Sequence, residues 1–400
     1  MSGINLKAFF TFCRVRVTHQ FFDRRSQEVQ VTVEPNKCYR PICHICRSSA
    51  HGIHSYHQRV IRDMNIFRAK TWIQYGYRKV RCRKCGIVVE DLGLVDIHLR
   101  ITRRLACYIL ELCRLLPIRD IARHLDLDWK TIKELHKQYL RETYSREDIG
   151  LPEFLAVDEI SLRKGHRYLT VIINWQNGRV LWVGKDRRYE TLKAFFDTLN
   201  DEQRAAIKAI AMDMWDPYIK AVKECCPKAA IVFDQFHVVR AFGRVIDSVR
   251  NREYRKALQE GKEVMKGSKY LLLKNRENLR DEEKPRLKAL LEMNQPLMTV
   301  YLLKDYLKKL WEYKYPRCAR NSLEIWCSMA RESGIRSLMA FAKMLQQYAY
   351  GIISHCRFPL HTSRLEGINN KIKVIKRRAY GFHDTEYFCL IIKNAFATSN

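Results

Sequence analysis

Residues 151–185, LPEFLAVDEISLRKGHRYLTVIINWQNGRVLWVGK, read as three successive β-strands at 153–162, 167–174 and 179–185. Gln176-Asn177-Gly178 joins the last two, and Asn-Gly is a strong hairpin signal because both residues tolerate positive φ. Reading outward, YETLKAFFDTLN (189–200) has the helical period and 207–213 returns to an apolar strand. Pro217 opens a helix to about 225, and a further strand runs 229–234.

Three meandering strands, a helix, a strand, a helix and a strand form the order of a ribonuclease-H-like fold, in which the first and fourth strands lie side by side. Three aspartates end apolar strands in this reading: Asp158 in FLAVDEI, Asp213 in IKAIAMDMW and Asp234 in AAIVFDQFH. Carboxylates launched from adjacent strands can converge on a pair of divalent cations about 4 Å apart, an arrangement suited to phosphodiester chemistry. Asp213 ends the strand expected beside that of Asp158, whereas Asp234 ends a strand farther out. Glu159 rivals Asp158 by position, but strand alternation sends it to the opposite face.

Composition bounds the partners. The chain of 400 residues carries 73 Lys and Arg against 43 Asp and Glu, a formal charge of +30, and 47% of it is hydrophobic. That is enough for several packed cores, and the charge favours a polyanion such as nucleic acid. No apolar run approaches the ~20 residues of a membrane span. MSGINLKAFFTFCRV lacks the layout of a secretory leader, so a cytoplasmic, nucleoid-associated protein without a membrane partner is expected. Of the fourteen cysteines, four form two C-x-x-C pairs, Cys43/Cys46 and Cys82/Cys85, set in strand-like surroundings. Four thiolates suit a closed, structural Zn²⁺ site, and Gly86 fits the tight turn after the second pair.

From about 100 to 145 the period becomes helical. Ile101, Leu105, Ile109, Leu112 and Leu116 make one stripe, and Ile118, Ile121, Ala122 and Leu125 a second. Leu127-Asp128 forms a turn, with Asp128 placed to cap a third helix, WKTIKELHKQYL. That helix is expected to turn Ile132, Leu135 and Tyr139 inward and Lys130, Thr131, Lys133 and Lys137 outward, as in a helix-turn-helix that offers its last helix to a DNA groove. Residues 238 to about 350 are helical and rich in Lys, Arg and Leu, and read as an insertion with a solvated, charged surface. In SRLEGINNKIKVIKRR (363–378), Ile368, Ile372, Ile375 and then Ala379 line one helix face. Glu366, Asn370, Lys373 and Arg377 line the opposite one, which sets an acid beside phosphate-binding cations.

The stretches VDEISLRKGHRY (157–168), AMDMWDPY (211–218), FDQFHVV (233–239) and SRLEGINNKIKVIKRRAYGF (363–382) follow a paired C-x-x-C module and a helix-turn-helix. Together they resemble the insertion-sequence transposases of the bacterial ISL3 family across almost the whole chain. The resemblance implies a DDE-type transposase that moves its own element by DNA cleavage and strand transfer. Asp158, Asp213 and Glu366 would be the Mg²⁺-binding (or Mn²⁺-binding) catalytic triad, and Asp234 with His237 an accessory pair. The expected architecture is multidomain. A zinc-ribbon-like module (1–97) precedes the helix-turn-helix (98–148). An α/β ribonuclease-H-like catalytic core (149–237 and 356–400) is split by an all-helical insertion (238–355). Expected partners are the element's terminal inverted repeats, target DNA and further copies of the chain in a dimer or larger oligomer. A non-catalytic DNA-binding regulator and a nuclease that cuts without joining are the alternatives.

Overall fold

The computed structural model describes residues 10, 12–96, 98–145, 148–163, 167–360, 363–379 and 381–397. The opening nine residues, and residues 164–166 and 380 of the quoted stretches, lie outside them. The chain divides into two compact units, Met1–Thr143 and Tyr144–Asn400.

The first unit opens with β1 (Val15–Asp23), β2 (Glu28–Pro35), β3 (Gly52–Ile66), β4 (Ala69–Cys82) and β5 (Gly86–Val89). They form one sheet in the order β1-β2-β4-β3, with β5 on the far end of β4. Strand alternation builds its core. Val29, Val31 and Val33 of β2 are buried while Gln30 between them is exposed, and Ile61 and Ile73 meet them from β3 and β4. Helices α1 (Arg103–Cys113), α2 (Ile118–Leu125) and α3 (Trp129–Ser145) follow. Thr102 caps α1 by accepting from the Leu105 amide, and its hydroxyl donates to the fully buried Asp63 of β3 at 2.6 Å. Arg104 Nε donates to the same carboxylate oxygen at 2.8 Å, so a satisfied buried acid ties the helices to the sheet.

Two expectations for these helices need correction. Leu116 lies beyond the end of α1 and is exposed. In α3 Ile132 is buried and Leu135 packs partly buried against the same core, as expected, but His136 and Leu140 rather than Tyr139 complete the inward face. The buried face therefore shifts sideways, exposing Tyr139 and covering Lys137, which cannot be an outward DNA contact in this arrangement. Asp128 accepts from the Lys130 amide at 3.0 Å, as its capping position requires.

The second unit contains β6 (Phe154–Arg163), β7 (Arg167–Asn174), β8 (Val180–Lys185), α4 (Tyr189–Asp197), α5 (Asp201–Ala206), β9 (Ala209–Met212), α6 (Asp216–Cys225), β10 (Ala230–Phe233) and α7 (Gln235–Lys256). The helix expected at 189–200 is α4, which ends at Asp197, and a second short helix, α5, follows before β9. Asn200 accepts from the Gln203 amide and Gln203 returns the bond, a capping box that starts α5. The sheet runs β10-β9-β6-β7-β8, with β6, β9 and β10 parallel and β6, β7 and β8 a meander. Helices α8 (Gln259–Met265), α9 (Lys269–Leu273), α10 (Glu283–Met293), α11 (Gln295–Lys308), α12 (Pro316–Glu332), α13 (Arg336–Gln347) and α14 (Ala349–Ile353) complete the helical region. Helices α15 (Ser363–Arg378) and α16 (Thr385–Ala395) follow it.

The helical region is more than a charged surface. Its Trp326, Phe341 and Leu307 share one apolar cluster with Phe242 of α7, Phe195 of α4 and Leu155 and Val157 of β6, covering one face of the sheet. The other face, carrying Ala156, Ile160 and Val171, is covered by Leu365, Ile368 and Ile372 of α15 and by Phe388 and Ile392 of α16. Gly351 of α14 lies against this framework. A Cβ there would stand 2.4 Å from the Phe233 ring, which is already held edge-on by Tyr348 and Tyr350. Gly351→Ala is expected to cost about 1–3 kcal/mol through overpacking, read as a lower urea midpoint with an unchanged slope.

Candidate metal-binding cleft and thiolate centre

Sheet geometry sets where the acids stand. Asp158 is not at a strand tip: β6 continues to Arg163, and Asp158 pairs with Val171 of β7. Only Phe154–Ala156 pair with β9, so Asp158 lies two residues past that ladder, where the sheet opens on one side. Asp213 directly follows β9, and Asp234 follows β10 as the N-cap of α7, accepting from the Phe236 amide. Because β9 lies between β6 and β10, Asp213 ends the strand adjacent to that of Asp158.

Asp158, Asp213, Asp234 and Glu366 all line one cleft of about 1390 Å³. Among the described residues, Asp213, Asp234 and His237 bring one donor atom each within 4.8 Å of the others. Glu366 belongs to no such group of three; it is exposed, in the first turn of α15. His237, in the first turn of α7, donates from Nδ1 to Asp213 Oδ2 at 2.9 Å, while its Nε2 stands 3.8 Å from Asp234 Oδ2. Its nearer partner is thus Asp213, not the Asp234 with which the sequence pairs it. Burial alone would depress the imidazole, but the hydrogen bond and charge of Asp213, with Asp234 and Asp158 behind, raise it above its usual range. Asp158 is pushed up to about 6, first by burial and then by the charge of Asp213, against the bonds it accepts from the Glu159 amide and Asn369. Glu159 also borders the cleft, but it is engaged by Arg187 at 2.9 Å rather than by the other acids' partners.

Several cleft residues have no local signature in the sequence. Asn369 Nδ2 donates to Asp158 Oδ2 at 2.5 Å, one turn along from Glu366. Arg240, Lys308, Trp311, Lys314, His355 and Arg357 line the cleft from α7 and the helical region. From the exposed face of α15, Asn370 and Lys373 line it too, whereas Arg377 is exposed farther along. In the helix-turn-helix, Lys130 is exposed, Thr131 and Lys133 are half-buried, and Lys133 pairs with Glu134 at 3.3 Å.

The second constellation is the thiol set. Cys43, Cys46, Cys82 and Cys85 place their sulfurs within 4.8 Å of one another, with Cys46 and Cys82 at 3.5 Å. Four sulfurs tetrahedral about a zinc ion at 2.3 Å would stand about 3.8 Å apart, so the set fits that ion. Each pair is followed by a left-handed residue, Arg47 (φ 55°) and Gly86 (φ 78°), which folds the chain back over its thiols. Hydrogen bonds from Ser48 hold the Cys46 thiol down to about 6, while partial burial and the neighbouring sulfurs push Cys85 up to about 12. Ionising all four thiols therefore calls for a cation among them.

A helix-turn-helix joined to an acid-lined cleft at a sheet edge defines a class of proteins that act on nucleic acid. The comparisons narrow it. A family model described as "Transposase" matches residues 155–392, and one for the helix-turn-helix domain of transposase family ISL3 matches residues 90–139. The chain is 42% identical to the transposase for insertion sequence element IS1001 of Bordetella parapertussis, over 89% of this chain and 88% of the relative. It is 27% identical to the transposase for element IS1557 of Mycobacterium tuberculosis, over 64% of this chain and 63% of that protein. The chain belongs to the ISL3 family of insertion-sequence transposases. No helix among the described residues is long and apolar enough to cross a membrane.

Proposed function

We propose that this chain binds the terminal inverted repeats of its own element and catalyses Mg²⁺-dependent cleavage and strand transfer. The reading rests on one observation: three strand-borne aspartates and Glu366, far apart in sequence, line a single cleft. The sheet order supports a ribonuclease-H-like core interrupted by a helical insertion, since the fourth strand lies beside the first. In this reading Asp158, Asp213 and Glu366 hold the catalytic cations, Mg²⁺ or Mn²⁺. An all-oxygen donor set suits either. Bound there, the metal would supply Lewis-acid activation of the attacking oxygen and charge stabilisation for the departing one.

The protein's own groups do the rest. His237 orients Asp213, with Asp234 behind it. Lys373 and Asn370, beside Glu366 on α15, hold the scissile strand through its phosphates. The four cysteines hold a structural Zn²⁺ that shapes the N-terminal module, and the start of α3, at the exposed Lys130 and the half-buried Thr131, meets the DNA. The protein works as a dimer or larger oligomer, because two element ends must be joined to one target.

The test is a reaction of the purified chain with DNA carrying the element's two ends and a target plasmid. Free 3′-OH ends and joined products are expected with Mg²⁺ and none with EDTA. Cleavage without joining would identify a nuclease, and tight binding of the ends without any cleavage a regulator.

A further inference from the structure

Asn369 sits on the seam of α15. Leu365, Ile368 and Ile372 are buried against the sheet, Glu366 and Asn370 are exposed, and Asn369 is half-buried between them at the cleft. Its Nδ2 donates to Asp158 Oδ2 at 2.5 Å. A carboxylate only accepts, so this bond fixes the orientation of the amide, with the NH₂ on Asp158 and the oxygen turned away. That oxygen, Oδ1, is buried and meets no hydrogen-bond partner among the described residues. A buried acceptor left without a donor costs about 1–3 kcal/mol, and a native protein retains such a group where the rest of its side chain serves a purpose that offsets the cost.

The nearby cleft groups do not offer that donor. Asp158, Asp213 and Asp234 present carboxylates, and the His237 Nδ1 proton is directed at Asp213. An amide whose NH₂ is spent on an acid while its oxygen goes unanswered among the described residues is placed for that acid rather than for the packing around it. Groups behind metal-ligating carboxylates are a regular part of divalent-cation sites. We infer that Asn369 is a positioning residue of the cation site: its NH₂ locks the rotamer of Asp158. The inference rests on the reading that Asp158 holds a divalent cation.

The test measures Mn²⁺ binding to the full-length protein without DNA, by electron paramagnetic resonance of the free ion. Mn²⁺ favours oxygen ligands and leaves the thiolate set to zinc. The variants are Asp158→Asn, Asn369→Leu, which keeps the volume but removes donor and acceptor, and Asn369→Ala, which carries the test should leucine fail to fold. Asp158→Asn is expected to lose the tight Mn²⁺ site. Each Asn369 variant should bind Mn²⁺ about 10–100-fold more weakly, with its melting temperature in EDTA close to that of the unaltered chain. A purely structural asparagine would instead shift the EDTA melt and leave Mn²⁺ affinity alone, overturning the inference. Wild-type affinity in both Asn369 variants beside a lost site in Asp158→Asn would also overturn it and leave the function standing. Wild-type affinity in Asp158→Asn would remove the reading on which it rests.

Discussion

Asp158→Asn, Asp213→Asn and Glu366→Gln should each reduce Mg²⁺-dependent cleavage by about 10³-fold or more while leaving binding of the element ends largely intact. Each change keeps the shape of the side chain and removes the charge that attracts a cation. Several kcal/mol of charge stabilisation depend on that cation, and each 1.36 kcal/mol is a factor of ten in rate. In the proposed reading end binding belongs to the helix-turn-helix, in the other compact unit, so it should survive these changes. The measurement is single-turnover cleavage at saturating protein, beside a mobility-shift titration of the same DNA. Asp234→Asn separates the two strand-end candidates. Because Asp234 stands behind His237 and caps α7, a smaller loss of about 10–100-fold is expected, the range for a group supporting a metal ligand. Full activity in Asp213→Asn together with complete loss in Asp234→Asn would transfer the metal to β10.

Cys43→Ser and Cys82→Ser should each release zinc and unfold the surroundings of the thiol set. The apolar residues packed there are few: Cys43, Val80, Cys82 and Val88 are buried, with Ala50 and Cys85 partly so. So small a core cannot order two loops by itself, whereas a structural zinc ion contributes an apparent ~10–16 kcal/mol of folding free energy. The expected outcome is loss of the metal by elemental analysis, loss of β signal by circular dichroism, and weaker DNA binding. Unchanged zinc content in both variants would dismiss a four-thiolate site.

Much of this was legible because the signals are local. Val/Ile-rich alternation and an Asn-Gly turn marked β6, β7 and β8, and two C-x-x-C pairs marked the thiol set. The misreadings arose where one helix face shades into another. Spacings of three and of four both satisfy a helix, and α3 completed its inward face with 136 and 140, which covered Lys137. The same ambiguity hid Asn369, which a two-faced count of α15 assigns to neither side. Arg47 takes a left-handed φ that its residue type disfavours, so only the preceding cysteines could have hinted at it. The cleft wall of Lys308, Trp311, Lys314 and Arg357 had no signal at all. Cations and aromatics on amphipathic helices look alike whether they face solvent or a site, and only the tertiary packing distinguishes them.

Helices α15 and α16 cover the sheet face opposite the helical region, and α15 also carries Glu366 and Asn369. Glu366 can therefore join the other three acids only once α15 has been made. The same last segment also closes the second core, so an unfinished polypeptide leaves Ala156, Ile160 and Val171 bare. A copy interrupted before α15 would leave that sheet face uncovered and the cleft without its glutamate.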